Sequence, residues 1–431
     1  MFKKYDAYKD SSVEWIGNIP AEWSLKKISH VFRNIGSGTT PLSGSDIYYK
    51  NGSINWLQTG DLNDGYIDET SKKITEKALR HYSTLKQYSK GSLVVAMYGA
   101  TIGKVGILNI DTATNQACCV LGANFGVDIK YYFYMLQGFK ADIIRMAYGG
   151  GQPNISQETI KNLRLPFPDL STQHEISKFL DQKTSEIDQA IAIKEQQIAL
   201  LNERKQIVIQ KAVTQGLNPN VPMKDSGVEW IGQIPQHWIV KKLKYVLKER
   251  SERSKDGLEP LLMMSQVHGL VVRSEYSEKT EVAATTVGNK LVYKNDLVFN
   301  KLKAHLGVFF SSVHDFAGCV SPDYAVYDCV NYIENTKFLE LLFRNPLYIK
   351  QFILRSSGIV EGLIRLYTTE LFDLKIGIPP KDEQMAILKH IEEQSFRFDE
   401  AVKNYSEQIE KLKEYKTTLI NDAVTGKIKV A

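Results

Sequence analysis

Carboxylate and lysine side chains between residues 168 and 183 match the loose pattern of a metal-dependent nuclease. Pro168-Asp169 is followed by Asp181-Gln182-Lys183, and such sites hold a metal between carboxylates and a lysine on neighbouring strands. The periodicity around Asp181 and Lys183 predicts a long helix instead. The pattern therefore lacks the strands that it requires, and we interpret it as a chance match.

Other catalytic patterns are also incomplete. Asn345-Pro346-Leu347-Tyr348 is similar to the Asn-Pro-Pro-Tyr loop of amino-methyltransferases, but leucine replaces the second proline and no glycine-rich cofactor loop accompanies it. The segment from Gly99 to Lys104 lacks the spacing and the Ser/Thr of a phosphate-binding loop. The eight histidines form no HExxH motif and no zinc pattern with the cysteines. We expect no catalytic residue and no metal on this chain.

Polar and basic side chains suited to DNA are easier to find. Lysines and arginines suit phosphates, and Asn or Gln can make bidentate contacts to adenine. The alternatives are a solvated charged face for the basic run after residue 240, and ordinary turn chemistry for the asparagines. The candidate DNA-binding residues from this pattern are Lys104, Asn115, Gln116, Gln152, Asn154, Lys241, Lys242, Lys244, Asn300, Lys301 and Lys303.

A repeat element must position these residues. Asp10–Trp23 returns as Asp225–Trp238 with ten of 14 positions identical, and the two copies hold four of the five tryptophans. The segments between the repeats differ. A chain that repeats its frame and varies the intervening segments is expected to recognise two different targets at a fixed separation.

A long helix closes each half of the chain. Apolar residues recur at spacings of four and three, which predicts a coiled-coil seam, and the two helices align with an offset of 211 residues. We expect the helices to pair with each other; the alternative is two unrelated amphipathic helices. The seam positions are Ile187, Ile191, Lys194, Ile198, Leu201, Lys205, Val208 and Ala212, and Phe398, Val402, Tyr405, Ile409, Leu412, Lys416, Leu419 and Ala423.

The ends of these helices carry matching signals. A capping box at Thr172–Glu175 and an N-cap at Asp382 would start them, and Gly216 and Gly426 would end them. Each helix would contain about 42 residues and measure roughly 63 Å.

The intervening segments indicate α+β globules. In the first, a buried strand at 93–98 leads through a glycine-rich turn to another strand, and a helix at 131–147 stops at Gly149-Gly150-Gly151. In the second, a strand pair with a tight turn at 291–299 precedes a helix from Phe338. The expected fold is α+β: two similar globules with a pseudo-two-fold repeat, joined by an intramolecular antiparallel coiled coil. The expected domains are 1–165, 166–216, 217–378 and 379–431.

Composition is that of an ordinary globular protein. The 431 residues are 43% hydrophobic and 24% charged, with a net charge of +5, which is compatible with nucleic acid but too weak to argue for it. Four cysteines without a CxxC motif fit a reducing cytosol. We expect neither a signal peptide nor a membrane span, and a cytoplasmic location.

Taken together, the elements resemble the specificity subunit of Type I restriction-modification enzymes. The resemblance rests on the Glu-Trp-Ile-Gly-x-Ile-Pro-x-x-Trp element, the variable globule and the proline-preceded coiled coil, each present twice. Further similar pieces are Gly151–Ser156, Arg365–Tyr367, Asn300–Ala304 and Val320–Val326. Ile359–Gly362 departs from the pattern, because related sequences are richer in proline or arginine in this loop of the second globule. The resemblance adds Arg365 to the DNA-binding candidates.

The resemblance implies a non-catalytic subunit that binds double-stranded DNA. Each globule would recognise one half of a bipartite target, and the coiled coil would hold the globules about one helical turn of DNA apart. It would also dock two methyltransferase subunits that use S-adenosylmethionine, joined by motor-nuclease subunits that use ATP and Mg²⁺; no cofactor would bind this chain. The candidate partner-binding residues are Ile187, Ile191, Ile198, Leu201, Phe398, Val402, Ile409 and Leu412. A self-contained methyltransferase or nuclease, and a coiled-coil scaffold that ignores DNA sequence, are the alternatives.

Overall fold

The structure is a computed structural model that describes residues 2–146, 154–276, 286–358 and 365–430. It divides into two compact units: unit 1 comprises Met1–Glu195 and Ser406–Ala431, and unit 2 comprises Gln196–Tyr405. Both long helices contribute to both units, because each division falls inside a helix. The four domains expected from the sequence divide the chain at the helix ends instead, and they stay a prediction.

Unit 1 is a mixed globule followed by the first long helix. A five-stranded sheet, in the order β4-β12-β9-β10-β6, and a four-stranded sheet, in the order β7-β5-β11-β8, form its centre. Its strands are β1 Tyr8–Asp10, β2 Asn18–Pro20, β3 Ser24–Lys27, β4 Ile35–Gly36, β5 Ile54–Leu57, β6 Gly65–Ile67, β7 Lys72–Ile74, β8 Gln87–Tyr88, β9 Leu93–Ala96, β10 Val105–Leu108, β11 Thr112–Thr114, β12 Cys118–Leu121 and β13 Arg164–Phe167. Its helices are α1 Ile28–Val31, α2 Asp46–Tyr49, α3 Glu76–His81, α4 Ile129–Gly138, α5 Lys140–Arg145, α6 Gln157–Asn162 and the long α7 Leu170–Gln215.

Unit 2 repeats this order with smaller sheets. A four-stranded sheet, in the order β17-β24-β21-β22, lies at its centre. Its strands are β14 Met223–Asp225, β15 Gln233–Pro235, β16 Ile239–Lys242, β17 Leu247–Glu249, β18 Leu262–Ser265, β19 Gly269–Val272, β20 Lys290–Val292, β21 Leu297–Asn300, β22 Phe309–Ser311, β23 Gly318–Val320, β24 Tyr324–Cys329 and β25 Lys375–Ile378. Its helices are α8 Arg273–Tyr276, α9 Lys337–Phe343, α10 Pro346–Arg355, α11 Thr368–Phe372 and the long α12 Lys381–Val424.

Helices α7 and α12 pair antiparallel within each unit. In unit 1 the Lys416 ammonium lies 2.7 Å from the Asp188 carboxylate, and in unit 2 the Lys205 ammonium lies 2.8 Å from that of Asp399. The two ion pairs are related by the 211-residue offset of the repeat. All predicted seam positions are buried or half-buried, which confirms the predicted coiled coil.

The two copies of the repeat element have the same internal bonds. The Ser11 and Ser226 amides donate to the carbonyls of Gly17 and Gly232, at 3.0 Å in both copies. The second tryptophan of each copy is buried beside the glycine that ends a long helix: Trp23 lies against Gly426 at the end of α12, and Trp238 against Gly216 at the end of α7. Each element therefore seals the end of the helix supplied by the other half of the sequence.

A buried glutamine ties the start of each long helix to its globule. The Gln173 amide group donates to the Pro168 carbonyl at 2.9 Å, and its oxygen accepts the Asp128 backbone N–H at 3.0 Å. Gln384 makes the equivalent bonds to the Pro379 carbonyl, at 2.9 Å, and the Glu334 N–H, at 3.1 Å. These bonds satisfy backbone groups that the helix itself cannot pair.

The helix starts differ from the predicted caps. Helix α7 begins at Leu170, and the Asp169 carboxylate, not Thr172, caps it by accepting the Thr172 N–H at 2.9 Å. That bond lowers the pKa of Asp169. Helix α12 begins at Lys381, so Asp382 lies inside the first turn, where a carboxylate still favours the helix dipole. At the other ends, Gly216 and Gly426 have φ values of 76° and 74°, as predicted for helix-ending glycines.

Two further expectations are corrected. The helix predicted over 131–147 is two helices, α4 and α5, because Gly138 ends the first where a Cβ would come within 3.3 Å of Ile420 of α12. The strands predicted to pair at 291–299 belong to different sheets: β20 pairs with β23, and β21 with β22 and β24. The Asp296 carboxylate, which accepts the Tyr293 N–H at 2.8 Å, holds the intervening turn. Gly149-Gly150-Gly151 and Ile359–Gly362 lie outside the described residues.

Candidate nucleic-acid interface

Three predicted segments of unit 1 meet at the end of strand β9. The backbone of Met97 joins them, because its N–H donates to the Ala117 carbonyl at 2.8 Å and its carbonyl accepts the Ile155 N–H at 2.9 Å. These bonds place Gln116, Asn154 and the turn that begins at Tyr98 beside one another. We call this region the unit 1 strand-end surface.

The side chains of this surface differ in what they can offer a ligand. Asn154 is exposed, and so is Gln116, whose side-chain oxygen accepts the Thr40 hydroxyl at 2.7 Å. Asn115 is buried and accepts the Ala117 N–H at 3.1 Å, so its oxygen serves the turn. Lys104 is half-buried in the turn before β10. A cleft of about 520 Å³ beside Thr40 is lined by polar residues, among them Gln58, Lys72 and Lys73.

Unit 2 has the equivalent surface at the end of strand β21. The carbonyl of Lys301 accepts the Leu366 N–H at 3.0 Å, which places Arg365 beside the 3₁₀ turn Lys301–Leu306. The Asn300 side chain accepts the Leu302 N–H at 3.0 Å, and the Arg365 guanidinium lies 3.8 Å from the Asp323 carboxylate. Asn300, Lys301, Lys303 and Arg365 thus form the unit 2 strand-end surface.

Two features extend this surface. Lys303 is exposed and sits at a kink in the 3₁₀ turn, with φ −119° and ψ 29°. A cleft of about 540 Å³ is lined by Arg273, Asn289 and Tyr324, together with the apolar side chains of Met263 and Met264. Cations and amides around a partly apolar cleft are suited to phosphates and base edges.

Several side chains of the basic run after residue 240 contact separate acidic or aromatic residues of unit 2. Lys242 pairs with Asp373, Lys241 lies 5.7 Å from the Tyr332 ring centre, and Lys244 lies 5.0 Å from that of Tyr245. Further along the run, Arg250 makes a bidentate contact with the buried Asp296 at 2.9 Å. These contacts favour a structural role for much of the run, while a DNA role for Lys241, Lys242 and Lys244 stays a prediction.

Sequence reasoning missed several polar residues beside these surfaces. Tyr98 is 39% exposed at the start of its turn, Thr40 bonds to Gln116, and Glu249 contacts Lys301. Tyr98 stood within a segment that the sequence had already singled out. Thr40 and Glu249 carried no local signal, because their partners are 76 and 52 residues away. The remaining candidate, Gln152, lies outside the described residues.

The apolar residues predicted to bind partners lie in the seam between the long helices. Ile187 and Ile409 are buried there, and the other six are half-buried, so they serve the pairing of α7 with α12. Exposed apolar side chains recur at another heptad position of α7, at Ile193, Leu200 and Ile207, which are 57%, 56% and 45% exposed. Partner binding by the eight seam residues stays a prediction.

Within the described ranges, no group of three or more His, Cys, Asp or Glu side chains is arranged to hold a metal ion. In the same part of the chain no helix is both long enough and apolar enough to cross a membrane.

Comparison with known proteins agrees with this architecture. A family model described as Type I restriction modification DNA specificity domain matches residues 20–203. The specificity subunit of the Type I restriction enzyme MjaIX from Methanocaldococcus jannaschii is 25% identical, over 96% of this chain and 95% of its own length. The MjaVIII specificity subunit of the same organism is 23% identical, over 96% and 94%.

A solved structure shares the fold. The HsdS subunit from Thermoanaerobacter tengcongensis superposes with a TM-score of 0.54 at 14% identity, covering 95% of this chain and 98% of its own. This likeness of fold agrees with the mixed helix-and-sheet units and the two long helices. The chain is therefore similar to specificity subunits of Type I restriction enzymes over almost its whole length, and residues 20–203 match the DNA specificity domain of that family.

Proposed function

We propose that this chain is the DNA-recognition subunit of a Type I restriction-modification complex and that each unit recognises one half of a bipartite duplex target. The observation that carries the proposal is that the two units share the same frame but differ in their strand-end surfaces. The repeat elements, glutamine bonds and seam ion pairs are the same in both units, whereas the strand-end surfaces differ residue by residue. A constant frame with two different surfaces is suited to two different half-sites at a fixed spacing.

Catalysis in this proposal belongs to partner subunits. Methyltransferase subunits would bind S-adenosylmethionine and take the target adenine out of the duplex, since methyl transfer needs an accessible base. Motor-nuclease subunits would supply ATP- and Mg²⁺-dependent cleavage. The assembly would act in the cytoplasm, where its DNA substrate lies.

We propose that one exposed apolar heptad position of helix α7 contacts the methyltransferases. Ile193, Leu200 and Ile207 are exposed on it at one heptad position. The equivalent α12 residues, Asn404, Lys411 and Thr418, are exposed and polar. Exposed apolar residues that repeat along a helix are typical of a surface covered in an assembly.

The test is a map of methylated adenines. The chain would be expressed with the methyltransferase encoded beside it, in a host otherwise free of adenine methylation. We expect a motif of two short specific blocks separated by a fixed unspecified gap. Replacing residues 24–165 with the same segment of another family member should change one block and leave the other block and the gap unchanged.

The matched control replaces residues 239–374 and should change the other block. If both exchanges left the motif unchanged, the proposed division of recognition would be wrong. A partner-free assay with DNA, Mg²⁺ and S-adenosylmethionine should show no methylation or cleavage. Activity there would favour a self-contained enzyme.

A further inference from the structure

A cluster of three charged side chains lies under the unit 2 strand-end surface. The Glu249 carboxylate is 3.3 Å from the Lys301 ammonium and 3.4 Å from the Lys290 ammonium, through the same oxygen. Lys290 also donates to the Tyr324 carbonyl at 2.7 Å. The Lys290 and Lys301 side chains are 9% and 18% exposed, so two lysines share one carboxylate in a largely enclosed place.

Unit 1 has apolar residues at the equivalent positions. In unit 2, Leu297 and Glu249 both lie opposite Tyr327 in the sheet. In unit 1, Leu93 and Ile35 both lie opposite Leu121, so Ile35 corresponds to Glu249.

Met97 likewise corresponds to Lys301. Each lies four residues beyond the paired leucine of its strand. Each carbonyl also accepts the N–H of the residue before a helix N-cap, Ile155 before α6 or Leu366 before α11. Met97 is buried, and Ile35 packs against the apolar core that contains it. The fold therefore accommodates an apolar pair where unit 2 has Glu249 and Lys301.

The cluster of Glu249, Lys290 and Lys301 has a net positive charge. Burial lowers the pKa of Lys290, as do the nearby charges of Lys301 and Arg253. Burial acts to raise the pKa of Glu249, but the Thr368 hydroxyl and the two lysines hold it below the usual value. One ionised carboxylate thus faces two ammonium groups beside Arg253.

We propose that Lys301 is a DNA phosphate contact of unit 2 and that Glu249 is the counter-charge that holds it when DNA is absent. This inference rests on the proposed function. The Lys301 stem is flexible, and its turn already carries the exposed Lys303. Lys290 is fixed by the Tyr324 carbonyl, so it stays beside Glu249 when Lys301 moves to a phosphate. The carboxylate then keeps a partner, and the transfer of Lys301 does not leave a buried charge unpaired.

The test measures binding of the full chain to a mixed-sequence duplex by fluorescence anisotropy across a salt series. Lys301→Met should weaken binding roughly tenfold at low salt and flatten the plot of log K against log salt by about 0.9, the value for one lost phosphate contact. Glu249→Gln should strengthen binding roughly two- to fivefold, because Lys301 is released and a negative charge near DNA is removed. The opposite signs distinguish this role from a purely structural ion pair.

A double variant guards against misfolding. Glu249→Ile with Lys301→Met installs the residue pair of unit 1, and Lys290 keeps the Tyr324 carbonyl as its partner. A cooperative melting transition shows that this variant is folded, and it should show the salt slope of Lys301→Met. The matched control is Lys294→Met, since Lys294 pairs with Asp315 on the surface of the same unit and should leave the slope unchanged.

Three outcomes separate the possibilities. If the salt slope of Lys301→Met equals that of the wild type, or if Glu249→Gln weakens binding as much as Lys301→Met does, the inference is wrong while the proposed function stands. If the wild-type chain, assembled with its methyltransferase, binds no duplex at any salt concentration, the proposed function fails and takes this inference with it. Opposite effects of the two variants with an unchanged control support the inference.

Discussion

Units 1 and 2 agree in their frame and differ at their strand ends. The two matching hydrogen bonds of Gln173 measure 2.9 and 3.0 Å, and those of Gln384 measure 2.9 and 3.1 Å. At the strand ends, unit 1 has the apolar Ile35 and Met97 at the positions where unit 2 has the charged Glu249 and Lys301. Buried hydrogen bonds and tryptophans tolerate little change because each loss leaves a cavity or an unpaired group. Surface residues whose role is to contact a ligand can differ between the units without loss of stability.

The buried tryptophans of the repeat element give the largest expected effect. Trp23→Ala and Trp238→Ala should each lower the free energy of unfolding by about 3–5 kcal/mol, since each leaves a cavity at a helix end. Trp238→Ala should lower the stability more, because the Trp238 indole N–H also donates to the Glu383 carboxylate of α12 at 3.1 Å. Helix α7 has Thr172 at the position that corresponds to Glu383, so it has no carboxylate there for Trp23. Guanidinium unfolding followed by circular dichroism at 222 nm measures both.

Phe125→Ala is the control for these variants. Phe125 is 98% exposed, so its truncation should change the stability by less than about 0.5 kcal/mol. If Trp23→Ala and Trp238→Ala lowered the free energy of unfolding equally, the bond from Trp238 to Glu383 would make no measurable contribution to stability.

The buried glutamines rank second. Gln173→Ala releases the Asp128 N–H and the Pro168 carbonyl, and Gln384→Ala releases the Glu334 N–H and the Pro379 carbonyl. Each group that stays buried without a partner costs about 1–3 kcal/mol. Gln384→Ala should be the more damaging, because its amide also donates to the Tyr332 carbonyl at 2.6 Å. Amide hydrogen exchange should accelerate at Asp128 in the first variant and at Glu334 in the second, since these are the N–H groups released.

Gln182→Ala in helix α7 is the matched control. Gln182 is exposed, and its side chain donates to Glu186 of the same helix. Unchanged exchange at Asp128 and Glu334 in the two glutamine variants would show that these bonds do not fix the helix starts.

The sequence predicted the elements whose physics is local and missed those that depend on distant partners. The seam follows from spacings of three and four residues, and the helix-ending glycines from the conformation that they alone adopt easily, so both appear in the pattern. The role of Asn115 depends on a turn that buries it, which its residue type does not reveal. Glu249 meets Lys290 and Lys301 across 41 and 52 residues, and a single sequence carries no record of such pairing.

The exact ends of some helices were also not predictable from the sequence. The pattern around Thr172 satisfied a capping box, yet the chain already enters the helix at Leu170 because Asp169 is available as the cap. The single helix expected at 131–147 is interrupted because Gly138 lies against α12, a residue contact that arises only after the long helices pair. Which elements form was predictable, whereas the break at Gly138 depends on tertiary packing.

The seam lysines give the smallest expected effect on stability and test why the frame is symmetric. Lys205 and Lys416 each place an ammonium in a mainly apolar seam and pair with an aspartate that is more than half exposed. Such pairs contribute about 0–1 kcal/mol, while a polar residue in a seam specifies which helix alignment forms. Replacing both lysines with leucine should therefore leave the melting temperature unchanged or slightly higher, yet produce oligomers detectable by light scattering, because the polar positions that disfavour other helix alignments, including those between chains, are lost. Lys413→Leu, outside the seam, is the control and should stay monodisperse; a double variant that stays monodisperse as well would mean that the two ion pairs do not select the intramolecular alignment.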